Sequence, residues 1–351
     1  MRIEAMALER LVAAIFSAGG STSDKASCVA RHLVSSNLCG HDSHGVIRVS
    51  RYLAFVKAGE IRPDSDMTVV FESDTAVIVD GNMGFGQVIG EQAMDLLATK
   101  AKKAGMALVS IRNSGHLGRL GDWAERLAEH GLVSFHFLNT TGLGMMAVPY
   151  GGSDRRLSLN PLSICVPVAG RHPILLDMTS TVVAEGKLAV ARNKGESVAP
   201  GTIVDKAGRP TTDPNDFYDG GALLTIGGHK GFALNVMIDL LAGALSGGGC
   251  TKPGVSVLVN TMTSIALDPG PITDPVAYFQ EIERYGDWVT ASPPAVPGGR
   301  VILPGDFEHE TRAERQAQGI PIDETTWQEI VASGRSAGLA RDTIDRLAAG
   351  G

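Results

Sequence analysis

Residues 40–53 read GHDSHGVIRVSRYL, and they lie between two segments with the apolar spacing of amphipathic helices. Positions 41–44 alone carry a hydroxyl, a carboxyl and two imidazoles, which is more proton-handling chemistry than packing requires. If a helix begins near Ser43, then His44 and Arg48 stand one turn apart on the same face. An imidazole and a permanent cation would then face the same small anion. The stretch therefore predicts a functional site among helices.

Helices are predicted on both sides of this stretch and again at the C-terminus. Apolar side chains recur at helical spacing over residues 4–18 and 24–38, and a third helix is expected from about Ser43 to Lys57. From residue 306 onward the chain is helical and polar. The middle alternates further helices, at 86–103, 120–130 and 182–191, with strands at 67–71, 76–80, 106–111, 132–138, 163–168, 174–176 and 255–267.

Two other segments of the middle have distinctive compositions. Residues 194–228 are rich in Gly, Pro, Asp and Thr, which indicates a long surface excursion. Residues 232–245 form the most apolar helix and are expected in the core. Helices at both ends around a strand-rich middle indicate a mixed α+β fold. Its central sheet is expected to be mixed or mainly antiparallel, rather than a regular βαβ array.

Composition restricts the function classes. The 351 residues are 44% hydrophobic and 20% charged, which is typical of a compact globule. The net charge of −7 is spread along the chain without a Lys/Arg run, so nucleic acid and anionic membranes are not expected as partners. The longest apolar stretch is too short and too often interrupted to cross a bilayer. Because no secretory signal is visible at the N-terminus, we expect a cytoplasmic protein.

The sequence offers few candidates for a metal site or a disulfide. Its four cysteines are scattered and form no C-x-x-C pair: Cys28, Cys39, Cys165 and Cys250. A disulfide framework or a structural zinc site therefore has little support, and reduced buried thiols are expected. An alternative reading is a metal-dependent hydrolase or lyase that uses His41, Asp42 and His44. Because no second histidine-rich motif supplies further ligands, no metal is assigned.

A second candidate for chemistry lies in NSGHLGR at 113–119, which follows a predicted strand and precedes a predicted helix. A histidine on a glycine-flanked loop at the end of a strand is anchored yet accessible, as general acid–base catalysis requires. The same position also suits a turn histidine that caps the next helix. Together with residues 43–48, the loop favours a catalytic role for His116.

Three glycine-containing loops invite comparison with nucleotide-binding motifs. GFGQVIG at 84–90 has the spacing G-x-G-x-x-x-G and no acidic residue on a clear second strand, so an ordinary turn is predicted. GGHKG at 227–231 opens the apolar helix, and its backbone N–H groups and lysine fit either a phosphate cradle or a capping loop. PGDFE at 304–308 begins a helix with two acids, which either offset the helix dipole or bind a ribose diol.

Six segments, taken together and in order, resemble the malate/L-lactate dehydrogenase-like family of NAD(P)-dependent oxidoreductases, which lack a Rossmann fold. They extend over nearly the whole chain: GHDSHGVIRVSRYL at 40–53, NSGHLGRLGDWAE at 113–125, LLDMTST at 175–181, PTTDP at 210–214, GGHKGFAL at 227–234 and LPGDFEHETRAERQAQGIP at 303–321. Within the family, the chain is most similar to the hydroxycarboxylate dehydrogenase B branch. Arg48 departs from that branch and follows the HGxxR pattern of the wider family, so the substrate is not transferable.

The resemblance implies a homodimer that acts on a 2-oxo acid or its 2-hydroxy acid. His116 would be the proton donor and acceptor, with Ser43, His44 and Arg48 near substrate and nicotinamide. The cofactor would be lined by His44, Gly118, Arg119, Leu120, Leu176, Asp177, Met178, Thr179, His229, Lys230, Asn260, Gly305, Asp306, Phe307 and Glu308. We further expect a helical lobe for substrate and dimer contacts (1–65, packing with 303–351) and a sheet-containing cofactor lobe (66–302).

This chemistry agrees with the residues themselves. Reduction of a 2-oxo acid needs a hydride and a proton for the developing alkoxide, and an imidazole such as that of His116 titrates near the working pH. Arg48 can hold the carboxylate and fix the carbonyl in line with the hydride. Asp306 and Glu308 would repel a 2′-phosphate, so NAD is expected over NADP. The other alternative class is a catalytically silent ligand-binding protein on the same fold.

Overall fold

The computed structural model describes residues 1–350, in which helices occupy both ends and most strands lie between them. The helices are α1 (Ala5–Ala18), α2 (Ser23–Leu38), α3 (Val49–Lys57), α4 (Gly86–Ala104), α5 (Leu120–Glu129), α6 (Glu185–Lys194), α7 (Pro214–Tyr218), α8 (His229–Asp239), α9 (Pro275–Thr290), α10 (Asp306–Gln318), α11 (Glu324–Ser336) and α12 (Arg341–Ala348). The strands are β1 (Arg2–Ile3), β2 (Thr68–Glu72), β3 (Ala76–Asp80), β4 (Met106–Ser114), β5 (Val133–Thr141), β6 (Met145–Ala147), β7 (Leu157–Ser158), β8 (Pro161–Val166), β9 (Ile174–Thr179), β10 (Ile203–Val204), β11 (Pro210–Thr211), β12 (Ala222–Leu223), β13 (Val259–Leu267) and β14 (Ile320–Pro321).

The central sheet has seven strands in the order β2-β3-β4-β13-β5-β8-β9. Every neighbouring pair is antiparallel except β3 and β4, which are parallel and are connected through α4. A second sheet, in the order β11-β10-β12-β6-β7, is built from strands of two or three residues. The prediction of a mixed, mainly antiparallel α+β fold is therefore confirmed.

The helices of the two chain ends share one hydrophobic core. Leu11 of α1, Leu33 of α2 and Tyr52 of α3 belong to the same cluster as Trp327 of α11 and Ile344 of α12. The cluster continues into the residues at 85 and 88, which lie beyond the expected lobe boundary at residue 65. The core therefore extends across residue 65. The division of the chain into two lobes at residues 65 and 303 stays a prediction.

The prediction of one helix from Ser43 to Lys57 is wrong. Two short 3₁₀ turns cover Asp42–His44 and Val46–Arg48, and the α-helix begins only at Val49. Between the turns Gly45 is extended, with φ −88° and ψ −151°, and the Asn37 side chain fills the space beside it. A Cβ at position 45 would lie 2.1 Å from Asn37 Oδ1, so this kink requires glycine.

The prediction that residues 194–228 form a surface excursion is also wrong. This segment contributes β10, β11, β12 and α7, and it buries Ile203, Phe217 and Leu223 in a separate small core. Strands of two residues are too short to show an alternating pattern, so composition alone indicated a loop.

The apolar helix predicted at 232–245 exists, but it is not a core helix. α8 continues into a π-helical turn at Leu240–Ala244, and Met237, Leu240 and Leu245 are about half exposed. The buried face carries polar residues beside the apolar Ile238 and Ala242: Asn235 bonds to Ser158 and Ser180, and Asp239 bonds to Asn139. Apolar content therefore predicted the helix correctly and its buried face incorrectly.

One long helix was not anticipated. α9 begins at Pro275, where Asp274 accepts a hydrogen bond from the Val276 N–H at 2.9 Å and caps the first turn. Its side chains are mostly exposed, so the apolar periodicity that indicates a core helix is weak. No helix of the described residues has both the length and the apolar character of a membrane span.

Candidate active site

The loop after β4 presents His116 between the sheet and α5. Its backbone lies against the glycine turn at 84–86, where Gly115 N–H donates to Gly84 O at 2.9 Å. A Cβ on Gly86 would lie only 2.2 Å from His116 O, so the close approach needs glycine there. The turn predicted for GFGQVIG thus supports the candidate catalytic histidine.

Both backbone groups of Leu117, the residue after His116, are hydrogen-bonded to side chains. Leu117 N–H donates to Asn260 Oδ1 at 2.9 Å, and Leu117 O accepts from Trp123 Nε1 at 3.0 Å. Asn260 also donates to Thr140 Oγ1 at 2.9 Å. Asn260, expected at the cofactor, therefore anchors the His116 loop to the central sheet.

Tyr52 contacts His116 directly, a role that the sequence analysis missed. Its hydroxyl lies 2.6 Å from His116 Nδ1 and accepts a hydrogen bond from Gln87 Nε2 at 3.2 Å. Burial raises the pKa of Tyr52 to about 12, with Arg48 opposing the shift, so the phenol stays protonated. The signal was available, because Tyr52 follows Arg48 by four residues within the stretch at 40–53.

The loop at 42–48 is shaped by Asn37 of α2, which no sequence signal identified. Asn37 accepts from Val46 N–H at 2.8 Å and donates to Asp42 Oδ1 at 2.6 Å. Ser43 Oγ lies 3.0 Å from His44 Nδ1, and Arg48 Nε donates to Ser43 O at 2.6 Å. Among the described residues, no hydrogen bond uses the two terminal guanidinium nitrogens of Arg48, so its fork is available to a ligand.

The two predicted histidines meet. The rings of His44 and His116 stack with centroids 5.6 Å apart and planes 18° from parallel. Burial, followed by Arg48 and His41, lowers the pKa of His44 to about 3, and burial with Arg48 and His44 lowers that of His116 well below its usual range. Both imidazoles are therefore neutral near pH 7 beside a guanidinium.

This arrangement can bind a small anion and exchange one proton with it. Arg48 supplies a fixed positive charge, and a neutral His116 has one nitrogen bonded to Tyr52 and the other left for a ligand. Ser43 and His44 add a hydroxyl and a second imidazole at the same place. All four residues predicted as catalytic thus lie together, where the helical segment 42–52 meets the end of β4.

Three of the segments expected at the cofactor are also joined to one another. Gly121 N–H donates to Asp177 Oδ2 at 2.8 Å, which connects residues 118–120 to β9. Leu175 N–H donates to Pro304 O at 3.0 Å, which connects β9 to residues 305–308. β9 itself holds the predicted Leu176, Met178 and Thr179, and Thr179 Oγ1 donates to Leu159 O at 2.7 Å.

A buried polar atom without a hydrogen-bond partner in this region fits a polar ligand such as a dinucleotide. Arg119 is 2% exposed and bonds to Asp122 and Glu125, yet its Nη1 has no hydrogen-bond partner. Burial raises the pKa of Asp177, although Arg119 opposes the shift. A buried guanidinium nitrogen without a partner is costly, and a phosphate or ribose oxygen that reached it would remove that cost.

The first turn of α10 is already occupied by contacts within the protein. Asp306 accepts from Leu303 N–H at 2.7 Å and lies 2.7 Å from His172 Nε2 and 3.1 Å from Arg171 Nη2. Glu308 Oε1 lies 3.3 Å from His41 Nε2. Gly305 caps the helix with φ 95°, and the Phe307 side chain is largely exposed.

The fourth expected cofactor segment lies apart from these contacts. His229 and Lys230 open α8 and are exposed, and the ring of His229 packs on the edge of Tyr150. Gly227 and Gly228 both have positive φ, and the N–H of Gly231 donates to Ile226 O at 2.9 Å within the turn. No hydrogen bond of residues 1–350 joins this segment to His116.

The alternative metal site of His41, Asp42 and His44 does not assemble. Asp42 is engaged by Arg315, at 2.6 and 3.1 Å, and by Asn37, while His41 faces Glu308 and His44 faces Ser43. Their ligand atoms point to three different partners, so among the described residues they do not converge on one ion.

Comparison with known proteins agrees with this architecture. The family model for malate/L-lactate dehydrogenase matches residues 3–331. Hydroxycarboxylate dehydrogenase B of Escherichia coli K12 is 39% identical over 98% of this chain and 96% of its own length. L-lactate dehydrogenase of Cupriavidus necator is 33% identical over 98% of this chain and 100% of its own length.

A solved structure has the same fold. A candidate malate/lactate dehydrogenase from E. coli superposes with a TM-score of 0.95 and 37% identity, covering 100% of this chain and 99% of that one. The match of sequence and fold along the whole chain shows that this protein belongs to the malate/L-lactate dehydrogenase family.

Proposed function

We propose that this protein is an oxidoreductase that transfers a hydride between NAD(H) and a 2-oxo acid or its 2-hydroxy acid. The observation that carries the proposal is the convergence of His44, Arg48 and Tyr52 around His116. A neutral imidazole beside a free guanidinium fork suits a substrate with one carboxylate and one exchangeable hydroxyl proton. The names of the relatives, which are hydroxycarboxylate, lactate, malate and sulfolactate dehydrogenases, agree with this substrate class.

Arg48 binds the substrate carboxylate and sets its orientation. With Nε fixed on Ser43 O, the planar fork is held in one position, which favours a bidentate contact with a carboxylate. This contact places the 2-carbon and its oxygen against His116. A nicotinamide cofactor, held by the segments at 118–121, 175–179 and 304–308, would supply or accept the hydride at that carbon.

His116 then exchanges the proton of the substrate oxygen. In the oxidation direction its lowered pKa keeps it neutral, so its free nitrogen accepts the hydroxyl proton. In the reduction direction it must carry the proton, and a bound carboxylate neutralises Arg48, one of the charges that lower its pKa. Tyr52 fixes the ring through Nδ1 and thereby keeps the other nitrogen toward the substrate.

We infer a preference for NAD over NADP. Asp306 and Glu308 place two carboxylates in the first turn of α10, where they would repel a 2′-phosphate. Arg171 and His172 partly offset the charge of Asp306, so we expect a preference rather than exclusive use. Measured kcat/KM should be higher with NADH than with NADPH; an equal or higher value with NADPH would refute this assignment.

We also propose a homodimer located in the cytoplasm. Met237, Leu240 and Leu245 present an exposed apolar surface on α8 and its π-helical turn, which a second copy can cover. This surface lies within residues 66–302, so the proposed contact differs from the expectation that residues 1–65 make the dimer contacts. Leu240→Asp should shift the protein from dimer to monomer in sedimentation equilibrium, whereas Val190→Asp, at an equally exposed apolar residue, should not. A monomeric wild-type protein would contradict the assembly.

The substrate class is tested by following NADH oxidation with a panel of 2-oxo acids and with matched ketones that lack the carboxylate. We expect turnover of at least one 2-oxo acid and little turnover of its ketone. Arg48→Gln should abolish that discrimination by raising KM for the acid by about tenfold or more, since a charged hydrogen bond contributes ~1.5–3 kcal/mol. Equal turnover of acid and ketone by the wild type would exclude carboxylate recognition by Arg48.

A further inference from the structure

A cluster of three potential metal ligands lies outside the candidate active site. Cys28 and His32 are four residues apart on α2 and therefore share one face of the helix. Glu91 of α4 lies opposite them, with its Oε2 at 3.1 Å from Cys28 Sγ and 3.4 Å from His32 Nε2. The three ligand atoms all lie within 4.8 Å of one another.

Two of the three separations lie near the edges of a tetrahedral zinc site. Zinc binds sulfur, nitrogen and oxygen at about 2.0–2.3 Å, so tetrahedral angles put two ligand atoms roughly 3.3–3.6 Å apart. The two separations at Glu91 Oε2, 3.1 and 3.4 Å, need a change of only a few tenths of an ångström or less to reach that range. The residue types, one thiol, one imidazole and one carboxylate, are all zinc ligands.

Hydrogen bonding alone leaves the cluster overcrowded. Glu91 Oε2 accepts hydrogen bonds from Cys28 Sγ and from Arg31 Nη2 at 2.5 Å, and His32 Nε2 lies 3.4 Å from the same oxygen. A carboxylate oxygen has about two lone-pair sites, so Cys28 and Arg31 already use both, and His32 is a third group at this atom. A cation between Cys28, His32 and Glu91 would replace the contacts of Cys28 and His32 with ligand bonds.

The surroundings of His32 resemble the outer contacts of a metal-bound histidine. Its second nitrogen, Nδ1, lies 3.2 Å from Asp122 Oδ2, and its ring packs on Trp123 with centroids 4.7 Å apart. A carboxylate on the far nitrogen fixes the tautomer and turns Nε2 toward a metal. The cluster supplies three ligands, so water would take the fourth position.

We propose that Cys28, His32 and Glu91 form a zinc site that joins α2 to α4. Binding removes the thiol proton of Cys28 and any proton on His32 Nε2, and the thiolate and carboxylate together balance the charge of the ion. Arg31 moves to Glu91 Oε1, which already lies 3.4 Å from Arg126. The proposal departs from the expectation drawn from cysteine spacing, because one of its ligands, Glu91, lies 63 residues after Cys28 on another helix.

The test measures zinc in the full-length protein after exposure to zinc and removal of free metal by gel filtration. We expect one zinc per chain in the wild type and in Cys250→Ser, a control at a cysteine away from the cluster. Cys28→Ser and His32→Gln should each lose most of the bound zinc. Circular dichroism and thermal melts establish that the variants are folded.

A second readout does not depend on any variant. Cobalt in place of zinc should give the thiolate-to-cobalt charge-transfer absorption of a cysteine ligand, and zinc should raise the Tm of the wild type reversibly on addition of chelator. Wild-type protein that binds less than about one-tenth equivalent of zinc, or cobalt without the thiolate band, would overturn the proposal. Equal zinc in the wild type and Cys28→Ser would also overturn it.

Discussion

At the scale of single residues, the hydroxyl of Tyr52 sets the tautomer and orientation of His116. Tyr52→Phe removes the 2.6 Å contact to Nδ1 but keeps the ring, which packs near Phe16 and Phe85. A lost hydrogen bond at a buried group costs about 1–3 kcal/mol, so we expect kcat to fall roughly 5- to 100-fold. Steady-state kinetics should also show a shifted pH profile, because the surroundings of His116 change.

The control for this variant is Tyr285→Phe, at a half-exposed residue of α9. It removes the same hydroxyl group without any contact to His116. If Tyr52→Phe and Tyr285→Phe gave the same kcat and the same pH profile as the wild type, Tyr52 would have no part in positioning the histidine.

The sequence was informative about the candidate site where neighbours along the chain carry the chemistry. Ser43, His44 and Arg48 lie in one stretch, and His116 lies in a loop of recognisable type, so residue identity was enough. Asn37 acts through a hydrogen bond to the backbone nine residues further along the chain, and Gln87 through one to a side chain 35 residues before it. Such contacts depend on tertiary packing, which a single sequence does not contain.

At the scale of elements, the glycine turn before α4 determines how closely the His116 loop approaches. Gly86→Ala would put a Cβ 2.2 Å from His116 O and 2.7 Å from Gly115 O, both backbone atoms that cannot move aside alone. The loop must then shift, and a displacement near 1 Å is enough to lower the rate by about 100-fold. We expect kcat to fall by that order while the protein stays folded.

The matched control is Gly270→Ala, where a new Cβ meets only Asp268 Oδ1 at 3.3 Å on the surface. Circular dichroism shows whether each variant is folded, and kcat shows whether its activity has changed. Together they distinguish a local shift of the His116 loop from a loss of the fold. Gly86→Ala with wild-type kcat would show that the turn does not position His116.

Apolar periodicity in the sequence predicted long, buried helices more accurately than exposed elements. Helices at 4–18, 24–38, 86–103 and 120–130 agree with α1, α2, α4 and α5 to within a few residues, because each buries an apolar face. The start of α3 was placed six residues early, since the side chain of Asn37 interrupts the helix at Gly45. α9 was not predicted because few of its side chains are buried.

At the scale of the whole molecule, buried neutral histidines link stability to pH. His136 lies inside the central sheet between Ser134 and Ser264, and burial lowers its pKa to about 3. The unfolded chain, with a histidine pKa near 6.5, binds one more proton between these values. The free energy of unfolding should therefore fall as pH drops from about 6.5 toward 3, by about 1.4 kcal/mol per pH unit for this residue.

Urea unfolding at a series of pH values measures this slope. His136→Gln should make it shallower, because glutamine does not titrate, whereas His130→Gln at an exposed site should leave it unchanged. A slope below pH 6.5 that is identical in the wild type and His136→Gln would mean that other groups carry the acid sensitivity.

The order of the predicted elements indicated the mixed central sheet, but it did not indicate the second sheet. Helical ends around a strand-rich middle predicted a mixed sheet, which the order β2-β3-β4-β13-β5-β8-β9 confirms. The second sheet was missed because its strands have two or three residues and pair across long separations. Its existence depends on contacts between residues 145–158 and 203–223, which local patterns do not reveal.

In the proposed mechanism, His116 exchanges the substrate proton at a site built by residues 42–52 and the loop after β4. This role is tested by comparing the wild type with His116→Asn for turnover of a 2-oxo acid with NADH and, separately, for NADH binding by fluorescence. We expect kcat to fall by about 100- to 10,000-fold while the Kd for NADH stays within a few fold. A His116→Asn variant that binds NADH and keeps the kcat of the wild type would contradict it.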